Sequence, residues 1–371
     1  MRLGAAGEPQ QWMNHAAVAA SFVAAWLSWR FVEQKLRARV LARSRVLWRY
    51  AAAVSVVLAL GLVARLGGGW PQRLAPEVAE IEAAADFAAN TCLTGWGQEA
   101  DLSDPRCQRR VEGQPVVVLI GDSHAAALAP GLRHTLDELG VGYEILTMPS
   151  CRPLLGVTTW QRERPNVRTD CARFMRHAFQ VVAADPDVRT VVLAGLWRGP
   201  LIDPAIEHYQ GADDAAAITE GRELLRLGLS NAIETLVAHG KRVIVLGDTP
   251  HWSFDPARLS IIEAIPARRY LAYISGGMPQ RQALIVPEDD IGEPVVRSVS
   301  EAYAASGLVS YLDLYPYFCD AEASCAYHED HALLFVDASH LSSRGSERAL
   351  ADLPTILAEI SNPNVEASRS R

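Results

Sequence analysis

Five short apolar runs recur along the second part of the chain, at residues 116–120, 143–146, 190–194, 242–246 and 308–312. Each is four or five residues long and bounded by turn-forming residues, which is the pattern of buried strands. Helical periodicity fills the intervals at 124–139, 171–184, 216–239 and 343–361. Strands alternating with helices predict an α/β domain: a parallel sheet with helices on both faces, in three α/β/α layers. Ligands of such sheets bind beyond the carboxyl ends of the strands. Three segments fall there: Gly121-Asp122-Ser123, Gly195-Leu196-Trp197 and Gly247-Asp248-Thr249.

The first 70 residues follow another pattern. Residues 16–34 and 50–66 are apolar nearly all round, which predicts two transmembrane helices. The first is Ala-rich and carries Arg30 near its end, a composition that also suits a buried helix. Gly67 to Gly69 and Trp70 close the second. The segment between them holds Lys35, Arg37, Arg39, Arg43, Arg45 and Arg49. Short basic loops stay cytoplasmic, so everything after Trp70 is expected outside the cytoplasm. The basic residues follow the first apolar stretch and no small-residue cleavage site precedes the second, unlike a signal peptide. The expected organisation is 1–70 two transmembrane helices, 71–114 a periplasmic linker, 115–362 the α/β domain and 363–371 a flexible tail.

A net charge of −8 over 371 residues argues against a nucleic-acid partner. All six cysteines lie beyond the second apolar helix: Cys92, Cys107, Cys151, Cys171, Cys319 and Cys325. None has the C-x-x-C spacing of zinc or redox sites. Six cysteines allow 15 connectivities. Pairing of nearest neighbours, 92 with 107, 151 with 171 and 319 with 325, staples three turn-rich segments. An oxidising periplasm suits both this pairing and the charge asymmetry.

Gly121-Asp122-Ser123-His124 sits between an apolar strand and a helix, so Ser123 opens a helix whose first N–H groups are unpaired. Far downstream lies Asp337-Ala338-Ser339-His340. Ser, Asp, His is one of the orders in which hydrolytic triads occur along a chain. Each segment alone reads better as an ordinary helix cap. Together they nominate Ser123 as nucleophile, His340 as its base and Asp337 as the group that orients the base. His328-Glu329-Asp330-His331 holds metal-type side chains, but a solvated loop beside a cysteine pair explains it better, and no metal is expected. His251 lies in a loop beyond a strand end, a place for substrate contact.

These residues carry a resemblance. Gly121-Asp122-Ser123 with Asp337-x-x-His340 resembles the first and last blocks of the SGNH/GDSL hydrolase superfamily, a flavodoxin-like fold. Phe31-Val32-Glu33-Gln34-Lys35-Leu36-Arg37 resembles the F-V-E-x-P-x-R ending of the acyltransferase-3 membrane module, with Lys35 where Pro is usual. Some of those proteins fuse that module, through one further helix, to a periplasmic SGNH domain. Ser150-Cys151-Arg152-Pro153, Leu193-Ala194-Gly195-Leu196-Trp197 and the Cys319/Cys325 pair are similar to segments that recur in them. The resemblance implies an acyl group, acetyl in the simplest case, supplied through a membrane acyltransferase module rather than a bound cofactor. It implies a glycan acceptor (lipopolysaccharide, peptidoglycan or exopolysaccharide) and a place in the bacterial inner membrane with the SGNH domain in the periplasm. A carbohydrate esterase with the same triad, or a degenerate glycan-binding module, are the alternatives. The oxyanion hole is expected from the backbone at Ser123, Cys151 and Gly195, because the family's G-x-N-D asparagine is missing at Gly195-Leu196-Trp197-Arg198. Arg198 is a substitute for it, and Trp197, Arg198 and His251 are candidate substrate contacts. Most of the membrane module is absent from this sequence, which implies a fragment, or a split gene with a separate acyltransferase-3 membrane chain and the lipid bilayer as partners.

Overall fold

The computed structural model describes residues 11–34, 43–67, 75–85, 87, 91–100, 102–161, 163–197, 201–202, 215–274, 292–322, 324–330 and 332–361. Lys35, Arg37, Arg39, Gly68 to Trp70, Arg198, His331 and the tail 363–371 lie outside them. The chain forms two compact units, residues 1–83 with 258–280, and residues 84–257 with 281–371.

In the first unit, α1 (Gln11–Leu27) runs into a π-helical turn, Ser28–Glu33. Then come α2 (Arg43–Leu66) and α3 (Pro76–Ala84). Within α2, Trp48–Leu66 is long and apolar enough to cross a membrane, with a mean hydropathy of 1.6. The apolar stretch of the first helix, Val18–Phe31, is shorter. Among the described residues one helix therefore meets the length of a span where the hydropathy pattern predicts two.

The second unit is the expected α/β domain. Its elements begin with β1 (Gln108–Arg109), β2 (Val116–Gly121), α4 (Ser123–Glu138) and β3 (Gly142–Thr147). There follow α5 (Val167–Ala184), β4 (Val188–Ala194), α6 (Ala215–Ala238) and β5 (Arg242–Leu246). Helices α7 (Pro256–Ala264) and α8 (Pro266–Ile274) come next, and most of their residues belong to the first unit. The domain closes with α9 (Gly292–Ala304), β6 (Val309–Leu312), α10 (Ser343–Ala349) and α11 (Leu353–Ser361). The six-stranded sheet has the order β1-β3-β2-β4-β5-β6. All neighbours are parallel except the β1–β3 edge pair.

Every residue of β2 and β3 is buried, as a parallel sheet covered on both faces requires. Side chains such as Ile120, Val191, Leu193 and Val245 are fully enclosed. Each contributes about 1.5–3 kcal/mol by leaving water. The domain begins earlier than residue 115, because β1 adds a strand ahead of it. Two polar residues carry no periodicity, so this edge is invisible in the hydropathy pattern.

The three disulfides join Cys92 to Cys107, Cys151 to Cys171 and Cys319 to Cys325, with Cα separations of 5.2, 5.0 and 4.0 Å. No cysteine is free.

Candidate active site

Strand β2 ends at Gly121, where there is no room for a side chain. A Cβ there would lie 1.8 Å from the Ala194 carbonyl oxygen of β4. Asp122 caps α4: its Oδ1 accepts the His124 amide at 2.8 Å. Ser123 is thereby fixed as the first residue of the helix, where N–H groups lack partners one turn back.

The second segment is a tight loop that doubles back on itself. Val336 N–H donates to His340 O and Ser342 N–H to Leu334 O, both at 2.9 Å. Asp337 Oδ1 accepts the amides of Ser339 and His340, each at 2.8 Å. This aspartate-centred turn leaves Oδ2 for the His340 ring, 2.8 Å from Nδ1. Nε2 of the same ring lies 2.8 Å from Ser123 Oγ. Ser123, His340 and Asp337 thus form one continuous hydrogen-bonded line, although Ser123 and His340 stand 217 residues apart. Burial alone would raise the Asp337 carboxyl. The His340 ring and the two amides outweigh that and hold it at about 2. It stays ionised, as an orienting carboxylate must.

Two helices bring the segments together. Helix α10 starts just after His340, and Ser342 caps it by accepting the Gly345 amide at 3.0 Å. It packs on α4, where Ser346 Oγ accepts the Gly131 amide at 2.8 Å. A Cβ at Gly131 would come within 2.4 Å of Ser346 O. Two N-termini from distant parts of the sequence are therefore clamped side by side.

Behind His340 the rings continue inward. His124 packs on it with centroids 4.4 Å apart, and His251 stacks on His124 at 5.7 Å. Phe87 meets His340 at 5.0 Å. Burial pushes the His124 imidazole down against the pull of Asp122, so this neighbour of the base is neutral. Its Nδ1 is 3.6 Å from Asp122 Oδ1, beyond hydrogen-bond length.

Several expected site residues sit elsewhere or do other work. The Cys151 amide closes a turn onto Met148 O at 3.1 Å, beside Ser150 at φ 64°. That N–H is already spent, so Cys151 is corrected from oxyanion donor to turn and disulfide residue. Trp197 is corrected from substrate contact to core: it is 1 % exposed, and its indole N–H donates to Leu246 O at 2.8 Å. An apolar residue just past a strand end is as easily buried by the next loop as offered to a ligand. Gly195 does lie against the serine segment, since a Cβ there would be 3.3 Å from Asp122 Oδ2. His251 is buried and stands in the wall of a cleft of about 410 Å³.

The profile for the SGNH domain that is fused to AT3 domains matches residues 91–353. The chain belongs to this SGNH family. No curated protein matches it in sequence. Among solved structures it is similar to the periplasmic domain of a lipopolysaccharide acetyltransferase of Salmonella ser. Paratyphi A. Identity there is 17 % and the TM-score 0.49, over 78 % of this chain and 99 % of that one. It is similar also to a putative acylhydrolase of Bacteroides fragilis, at 11 % identity and TM-score 0.35, over 70 % and 99 % of the two chains. A GDSL-like lipase of Bacteroides thetaiotaomicron gives 13 %, 0.34, 76 % and 99 %. The SGNH fold of the second unit and the acyl-transferring or ester-hydrolysing class of its chemistry follow from the family.

Three residues of this SGNH domain have structural work that their motifs do not reveal. Asp122 is more than a cap, because its Oδ2 accepts the Leu196 amide at 2.9 Å. Asp248, in a second strand–Gly–Asp segment, accepts the Trp197 amide at 3.3 Å. Arg152 is buried and its Nε donates to Leu196 O. Burial lowers its guanidinium, and the charges of Asp122 and Asp248 oppose that. Two carboxylates and an arginine thus hold the loop after β4. The repeat of Gly-Asp after β2 and β5 was the available signal.

Proposed function

We propose that this domain transfers an acyl group, acetyl in the simplest case, to a hydroxyl of a cell-envelope or exported glycan through a serine acyl-enzyme. The observation that carries the reading is the hydrogen-bonded line from Ser123 Oγ through the His340 ring to Asp337. Ser123 Oγ attacks the carbonyl carbon of the acyl donor, and its proton passes to His340 Nε2. Asp337 holds the proton on Nδ1 and stabilises the imidazolium. The carbonyl oxygen becomes an oxyanion facing the N-terminus of α4, with Ser123 N–H as the nearest donor by sequence. Collapse expels the leaving group, which takes the proton from His340. In the second half, His340 takes the proton of the acceptor hydroxyl as its oxygen attacks the acyl carbon; the bond from that carbon to Ser123 Oγ then breaks, and His340 returns the proton to Ser123 Oγ. Fusion of the family to AT3 membrane domains supports an acyl supply from the membrane side, and with it a glycan rather than water as acceptor.

Water in place of the glycan would make the same site an esterase. Both readings require an acyl-enzyme on Ser123, which a degenerate glycan-binding module would not form. Incubation with a small activated acetyl ester and mass spectrometry of the chain is the test. An adduct of one acetyl group on the peptide of Ser123, absent from Ser123→Ala, supports an enzyme. Faster deacylation on adding envelope glycan, with acetyl recovered on the glycan, supports transfer. Release as acetate alone supports hydrolysis, while finding neither an adduct nor acetate release above that of Ser123→Ala overturns both.

A further inference from the structure

Helix α8, in the first unit, is turned inside out. At 100° per residue, Tyr273, Pro266, Tyr270, Ala267 and Leu271 fall on one arc of roughly 160°. That apolar arc faces outward: Tyr270, Leu271 and Tyr273 are 66 %, 55 % and 79 % exposed. Ala272 is fully buried on the opposite side, and Arg268 is half-buried beside it. A helix on a water-soluble surface has the reverse arrangement. Outside α1, the π-helical turn that follows it and α2, the other exposed large apolar side chains of the described residues are scattered singly and need no explanation. Three on one short face do.

We propose that α8 lies flat on the extracytoplasmic leaflet of the membrane that α2 spans. Three observations choose lipid as the occupant. Residues 258–280 belong to the same compact unit as α2, none of whose span Trp48–Leu66 is buried. Two of the three outward side chains are tyrosines, which favour the membrane–water interface. The exposed Arg269 borders the face, where a guanidinium meets lipid phosphate. Nine residues are too few to cross a bilayer, which takes about 20, so an in-plane position is the one open to it.

The inference rests on the membrane reading of α2 and is independent of the triad. The test uses the full chain in bilayer nanodiscs of phosphatidylethanolamine and phosphatidylglycerol, with or without brominated acyl chains. An environment-sensitive fluorophore is attached at Leu271→Cys, in parallel at Tyr273→Cys, at Leu60→Cys within α2, and at the exposed Glu138→Cys on the SGNH domain. Retention of the three native disulfides checks that each variant has folded. The expected result is blue-shifted emission at 271 and 273 that loses most of its intensity to brominated lipid, as at 60, with none lost at 138. Quenching at 60 without quenching at 271 and 273 overturns the proposal. A blue shift at 271 that brominated lipid leaves untouched means that protein covers this face, and overturns it too. Absence of quenching at 60 overturns the membrane reading and the proposal together.

Discussion

At the scale of single residues, the site depends on charges that are buried and matched. Asp122, Arg152 and Asp248 hold the loop after β4. Removing Arg152 takes away its bond to Leu196 O and a positive charge near Asp122 and Asp248, so Arg152→Met is expected to destabilise the fold by about 1.5–3 kcal/mol. Adding Asp248→Asn to that variant should restore part of the loss, and denaturant unfolding of the pair measures it. Asp337 gives a pH prediction of definite sign. Its carboxyl is lowered from 3.8 to about 2 in the fold, so it contributes stability that is present above its unfolded value and lost as pH falls through the folded one. Melting temperatures of the native chain and Asp337→Asn should therefore converge between about pH 5 and pH 2. A constant gap would show that Asp337 does not titrate there. Turnover of Asp337→Asn should fall by about 10⁴-fold, the size expected when the base keeps its place but loses the correct tautomer.

At the scale of elements, two helices set the distance between nucleophile and base. Helix α4 opens at Ser123 and α10 follows His340, and they touch where Gly131 meets Ser346. Gly131→Ala forces a methyl against the Ser346 carbonyl and should push α10 outward. A shift of about 1 Å costs about 10²-fold in turnover. Steady-state kinetics on a small acetyl ester would check this. A loss of stability with unchanged turnover per folded molecule would mean that the contact serves packing alone. The strand–helix alternation behind this geometry was legible, because buried parallel strands read as unbroken apolar runs. The D-x-x-H spacing was legible too, since a turn around Asp337 fixes both side chains locally. Other parts were not. The pattern at 343–361 reads as one helix, but the fold breaks it between Ala349 and Leu353, with Pro354 in the first turn of α11. Helix α9 starts at a Gly-Glu-Pro that resembles a loop. Trp197 and Arg152 carry no local mark of burial: which side of a loop faces the core depends on partners far away in sequence.

At the scale of the whole molecule, the disulfides and the apolar helices make one argument about compartment. Cys151–Cys171 closes a loop with a sequence separation of 20 between the exit of β3 and α5, a constraint on the unfolded chain of about 3 kcal/mol. Such bonds persist where the surroundings oxidise, outside the cytoplasm. The family, an SGNH domain fused to AT3 membrane domains, points the same way. The direction of α2 decides whether the chain delivers its domain there. The basic residues Arg43, Arg45 and Arg49 stand at its start, and short basic flanks are retained on the cytoplasmic side. An alkaline phosphatase reporter, active only after export, is therefore expected to be inactive when fused before residue 43 and active when fused after Gly67. Two active fusions would place the start of α2 outside and remove the argument from charge. Two inactive fusions would mean that Trp48–Leu66 does not cross. The disulfides would then have to form in a reducing compartment, against the chemistry that keeps thiols free there.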